Sequence, residues 1–285
     1  MSLRDVLVIL DVGAGSDERL RVAVSIVRQH QAYLSAVFLQ GDGVGESQSG
    51  LSLPRAALMA GSSASFASRF AEPAIPAETA EQRFRDQFRR CGSEGDWHSL
   101  DRPDTAELIQ IARMADLVIM GQIHPNSRNG PKYRPEDVVV ECGRPVLMIP
   151  YIGTFGHIGR RVMVAWDGSR SAVRALNDAL PVIDTADEVT LLTVRTRPRS
   201  STEHNHSSAD RVARHLGRHG IVVHAEDTLR GTNTVCDVLL SRAADFSVDL
   251  IVAGANRHSP LREALIGGVS RGLFQHMTVP VLMSH

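Results

Sequence analysis

Short apolar runs and longer amphipathic stretches alternate along the whole chain. In the first half the runs fall near 5–11, 33–39, 97–100, 117–120 and 146–149. Between them, apolar residues recur at three- and four-residue spacing near 17–31, 77–91, 104–114 and 135–142, the period of a helix with one buried face. The second half repeats the plan. Strand-like runs lie at 161–167, 188–194, 221–224, 250–253 and 279–283. Helical patterns lie at 172–180, 210–220, 232–246 and, for the most part, 261–275. Runs this short and this rich in Val, Ile and Leu suit strands covered on both faces of a parallel sheet. Strands alternating with helices imply right-handed βαβ units.

The two halves are also alike in sequence. Asp116–Gly121 resembles Asp249–Gly254, Arg144–Pro150 resembles Thr278–Ser284, and Val6–Asp11 resembles Val162–Asp167, in the same order. The fold class expected is therefore α/β, with two tandem doubly wound (Rossmann-like) domains. Each has a five-stranded, mainly parallel sheet with helices on both faces. Residues 1–150 form the first domain, 151–159 a linker and 160–285 the second. The Gly-, Ser-, Ala- and Pro-rich stretch 40–76 reads as a long loop. The last strand of each half, Pro145–Ile149 and Pro280–Met283, reads as an apolar edge that needs a partner.

Composition narrows the chemistry. The chain has 285 residues, 43% of them hydrophobic, and a net charge of −1, so no basic surplus points to nucleic acid or to an acidic membrane surface. No segment reaches the ~18 consecutive apolar residues of a membrane span. The start of the chain does not read as a secretory signal. Lys132 is the single lysine, which excludes a P-loop and leaves no candidate for Schiff-base chemistry outside a Pro/Gly-rich loop. Cys91, Cys142 and Cys236 lack CxxC spacing and read as buried thiols of a cytoplasmic protein.

Ligands of open parallel sheets bind beyond the carboxyl ends of the strands, where strand order reverses. Two loops of the second half meet that description. One follows its first strand, Ala165-Trp-Asp-Gly-Ser-Arg-Ser171. The other follows its fourth, from Gly254 through Arg257 to Gly267-Gly-Val-Ser270. These residues, with Leu261–Arg271 and Pro280–Met283, resemble the universal stress protein family; the resemblance is close over 160–285 and weaker in the first half. It implies a tandem universal stress protein in which ATP is bound through a G-x2-G-x9-G-[ST] motif and an aspartate ending the first strand, with equivalent last strands paired antiparallel about a two-fold axis. Asp167 matches that aspartate, Gly254 the first glycine and Gly267 the third. Arg257 replaces the second glycine, and Gly268 replaces the Ser/Thr, with Ser270 two positions on. Arg257 has two readings: its planar fork pairs a phosphate, or its bulk fills the pocket. In the first half Asp11 and Gly121 match, His124 stands at the second glycine, and no Gly-Gly-Val-Ser run follows.

The expected nucleotide site is Asp167, Val194, Gly254, Arg257, Gly267, Gly268, Val269 and Ser270, with Val194 touching the base. No catalytic set and no metal ligands are assigned. The function implied is a cytoplasmic protein that senses or stores an adenine nucleotide without efficient turnover. The alternative is an interaction module that binds no nucleotide and works through dimer surfaces. The two halves pairing within one chain, and a homodimer beyond that, are both compatible with the edge strands. Other signals reduce to ordinary structure: Gly13-x-Gly15 to a tight turn, Gly156-His-Ile-Gly159 to linker, and His204, His206, His215, His219 and His224 to a solvated face.

Overall fold

The computed structural model describes residues 2–11, 13, 15–40, 77–91, 95–101, 104–123, 133–197, 208–255 and 267–285. The first half runs β1 (Asp5–Leu10), α1 (Ser16–His30), β2 (Tyr33–Gln40), α2 (Ala77–Cys91), β3 (Gly95–Asp101), α3 (Thr105–Ala112), β4 (Leu117–Gly121), α4 (Pro135–Glu141) and β5 (Val146–Ile149). The second runs β6 (Arg161–Ala165), α5 (Arg170–Ile183), β7 (Glu188–Arg195), α6 (Ser208–Arg218), β8 (Val223–Leu229), α7 (Val235–Asp245), β9 (Leu250–Gly254), α8 (Gly268–His276) and β10 (Val281–Ser284).

All ten strands belong to one sheet, in the order β3-β2-β1-β4-β5-β10-β9-β6-β7-β8. Within each half every pairing is parallel. The halves meet through the antiparallel pair β5–β10, where Leu147 faces Leu282. The two apolar edges thus satisfy each other within the chain, and a local two-fold relates the halves. Helices α1, α2, α5 and α6 cover one face and α3, α4, α7 and α8 the other, each over its own buried apolar cluster. The central strands are buried on both sides, which is why they read as unbroken apolar runs.

Capping explains several element starts. The Ser169 hydroxyl accepts from Ala172 N at 3.2 Å and opens α5. A capping box opens α7: Thr234 Oγ1 accepts from Asp237 N while the Asp237 carboxylate accepts from Thr234 N. A repeated aspartate ties the first strand of each half to its fourth. Asp116 accepts from Arg4 N and Asp5 N, and Asp249 from the backbone N–H groups of Gly159, Arg160 and Arg161. The linker is held in turn by Glu18, a 5% exposed carboxylate that accepts from Phe155 N at 2.5 Å and pairs with Arg21.

Two expectations shift. The strand anticipated at 221–224 lies at Val223–Leu229, because it is an outer edge strand with an exposed, polar sequence that carries no apolar run. Helix α8 begins at Gly268; the earlier part of the expected helix, 261–266, lies outside the described residues, as does most of the expected loop at 40–76.

Candidate functional site

Strand order reverses between β6 and β9, and the crevice there opens into a cavity of about 550 Å³. Of the site residues expected from sequence, Asp167, Val194, Gly254, Gly267, Gly268, Val269 and Ser270 all line it. Arg257 and His124 lie outside the described residues. The floor is apolar: Ala165, Leu192, Ala253, Leu239 and Cys236. Burial first, and then the neighbouring Asp237 carboxylate, push the Cys236 thiol up to about 11, so it is a protonated wall group and not a nucleophile. Arg230, Arg271 and His276 bring cationic or ionisable groups to the rim.

Two helices point their amino ends at this space. At α7 the end is closed by its own capping box. At α8 no described side chain closes it, because its N-cap, Gly267, has no side chain to offer. The first-turn N–H groups of Gly268, Val269 and Ser270 have no partner within the helix, and the helix dipole adds partial positive charge. Such an end attracts anions. Asp167 stands across the cavity, exposed, its Oδ1 accepting from Ser169 N at 2.9 Å; among the described residues no cation pairs with it. Gly254 is required by packing. A Cβ there would lie 2.5 Å from Ala172 N, so α5 starts directly against the end of β9.

The corresponding positions of the first half carry larger side chains. Strand register equates Ile9 with Ala165, Met120 with Ala253 and Leu39 with Val194. Each first-half residue is the larger, and all three are buried. Tyr133, 2% exposed, packs in the same cluster. Burial, and then Asp11, raise its phenol above the ordinary value. On the opposite face Arg19, 3% exposed, pairs with Asp11 at 2.6 Å and donates to Ile9 O and Ser16 Oγ. A Cβ on Gly121 would fall 2.7 Å from its guanidinium. Burial works to raise the Asp11 pKa, but the charge and hydrogen bond of Arg19, with Gly13 N–H and the Ser16 hydroxyl, outweigh it and hold the carboxyl below its usual range. Eight residues after Asp167, where Arg19 follows Asp11, stands Ala175.

Sequence reading missed this asymmetry of volume, although the signal lay in the aligned repeats. Val-Ile-Leu-Asp11 stands against Val-Ala-Trp-Asp167, and Ile-Met-Gly121 against Val-Ala-Gly254. Among the described residues no group of three or more His, Cys, Asp or Glu could hold a metal ion, and no helix is long and apolar enough to cross a membrane. His215 of α6 and His219, just past its end, stack edge to face at 5.0 Å.

Fold and cavity together define a Rossmann-like α/β protein with a ligand-sized hollow at the switch point of its second half-sheet. Residues 159–285 match the family model described as the universal stress protein family; this half is a universal stress protein domain, and the N-terminal half shares its fold. The chain is similar over 98% of its length to a universal stress protein from Archaeoglobus fulgidus DSM 4304, 97% of which is covered, at 17% identity and a TM-score of 0.68. A protein of Pseudomonas aeruginosa UCBPP-PA14, described as a universal stress protein, matches 99% of the chain over 93% of its own at 15% identity and a TM-score of 0.61. The cytoplasmic domain of a prokaryotic cation chloride cotransporter matches 99% of the chain over 95% of its own at 8% identity and a TM-score of 0.53, a likeness of fold alone. No curated protein matches the chain.

Proposed function

We propose that the second half binds one adenine nucleotide, ATP, and that the protein acts in the cytoplasm as a regulatory or sensing component of a stress response, not as an enzyme. The observation that carries this reading is the cavity, which combines an apolar floor with an uncapped helix end and arginines at its rim. The floor suits a purine and Val194 lies within reach of it. Gly267, Gly268, Val269 and Ser270 suit phosphates. Asp167 is placed to accept from ribose hydroxyls or the base. Its volume falls in the usual range for ligand pockets, roughly 300–1,000 Å³. The larger Ile9, Leu39 and Met120 at the matching first-half positions favour one nucleotide per chain. Calorimetric titration with ATP tests both points. Ala253→Met, which copies the first half, should abolish binding while leaving the circular dichroism spectrum unchanged. No heat from nucleotide-free protein at millimolar ATP, or unaltered binding by Ala253→Met, overturns the proposal.

The departure at Arg257 favours a second reading, an interaction module without nucleotide. Creation of ATP binding by Arg257→Gly in a parent that has none would decide for it.

A further inference from the structure

A second cavity lies at the seam of the two halves. Its volume is about 310 Å³, enough for roughly ten non-hydrogen atoms at the volume water occupies per molecule. One wall is α1 of the first half, another the linker, and the third Thr185, in the turn that follows α5. It adjoins the linker segment leading into β6 and the C-terminal turn of α1, whereas the cavity described above sits at the carboxyl ends of β6, β7 and β9.

The seam cavity has a built frame. Gln29 Nε2 donates to Thr185 Oγ1 at 3.0 Å and joins the two halves across it. Phe155, fixed through its backbone by Glu18, and Ile26 give it an apolar side. Arg160 gives it a cationic side and His157 adds an imidazole beside it, and none of its lining residues is acidic. Of the nearby carboxylates, Asp184 is exposed beside Thr185 and acts on His30, and two others are engaged elsewhere. Asp249 is spent on three backbone N–H groups, and Glu18 on Phe155 N and Arg21. Asp187 reaches Arg160 only at 3.7 Å, with both side chains largely in water, and such a loose surface pair yields readily to a better placed anion.

We propose that this seam cavity binds a small organic anion built on a flat apolar body, of the aromatic monocarboxylate class. The carboxylate sits against Arg160 and His157, and the ring lies between Phe155 and Ile26. A ligand there touches both halves and the linker at once. The protein then has two sites of different chemistry with no lining residue in common.

Benzoate is the probe and benzylamine, its cationic counterpart, the control, both followed by calorimetry on the full chain. Saturable binding of one benzoate per chain is expected, with benzylamine silent and with ATP causing no competition. Arg160→Gln should weaken benzoate about tenfold or more, the size expected for loss of a charge-assisted hydrogen bond. His157→Gln gives the same readout if the first variant does not fold. Absence of benzoate binding at millimolar concentration, equal binding of benzylamine, displacement by ATP, or indifference to these substitutions overturns the proposal. Failure of ATP to bind leaves it standing, because the two sites share no lining residue.

Discussion

Replacing Arg19 by methionine keeps most of the side-chain volume and removes the charge. The Asp11 carboxylate would then be left without its cation, and Ile9 O and Ser16 Oγ would each lose a donor. Removing one partner of a buried ion pair costs about 3–5 kcal/mol. Asp11 keeps 29% of its side chain in reach of water, so the loss here should fall to about 2–4 kcal/mol at pH 7. The sign of the pH dependence is diagnostic. In the parent the folded-state pKa of Asp11 is depressed, so its contribution is present above the unfolded value of about 3.9 and is lost as pH falls through the lower folded value. In Arg19→Met, burial is opposed only by Gly13 N–H and the Ser16 hydroxyl, and the folded pKa rises from its parent value. The penalty is then full at neutral pH and shrinks as pH falls toward 4. Urea unfolding at pH 7 and pH 5, followed by circular dichroism, measures it. Asp11→Asn in the Arg19→Met background should recover at least half of the loss. A penalty below about 0.5 kcal/mol at pH 7, or one that neither acidification nor Asp11→Asn relieves, would refute the reasoning.

Two further outcomes follow from packing. Gly272→Ala places a methyl 2.7 Å from Cys236 Sγ, where α8 crosses α7, and should lower stability by about 1–3 kcal/mol in thermal melts, with part regained in the Cys236→Ala background. Thr234→Ala removes the capping box at the start of α7 and should cost about 1 kcal/mol in the same assay.

Much of this molecule is written in its periodicities. The apolar runs located the buried strands because a parallel sheet covered on both faces demands unbroken Val, Ile and Leu. Where that demand lapses, at the outer strand Val223–Leu229, the reading slipped toward the apolar pair Ile221-Val222, of which Val222 is 75% exposed. The repeated aspartates Asp116 and Asp249 were visible as letters, but their hold on the first strand of each half required the backbone. The cavity residues of the second half were legible as loops that follow two strands. The difference in side-chain volume between the halves was not read, because it rests on the strand register that sets Ala165 and Ala253 where Ile9 and Met120 stand. Arg19 hid for a similar reason: on sequence it is one more charged residue of an amphipathic helix, and only the chain path places it over Gly121.

The β5–β10 pairing joins two strands of one polypeptide that lie far apart along it. Two separate molecules sharing such an edge would part on dilution, and each would expose an apolar strand. Here the partner's effective concentration is set by the length of the connecting chain, so the ten-stranded sheet persists at any protein concentration. Covalent fusion also releases the halves from identity, and one can bury Ile9 and Met120 where its twin carries Ala165 and Ala253.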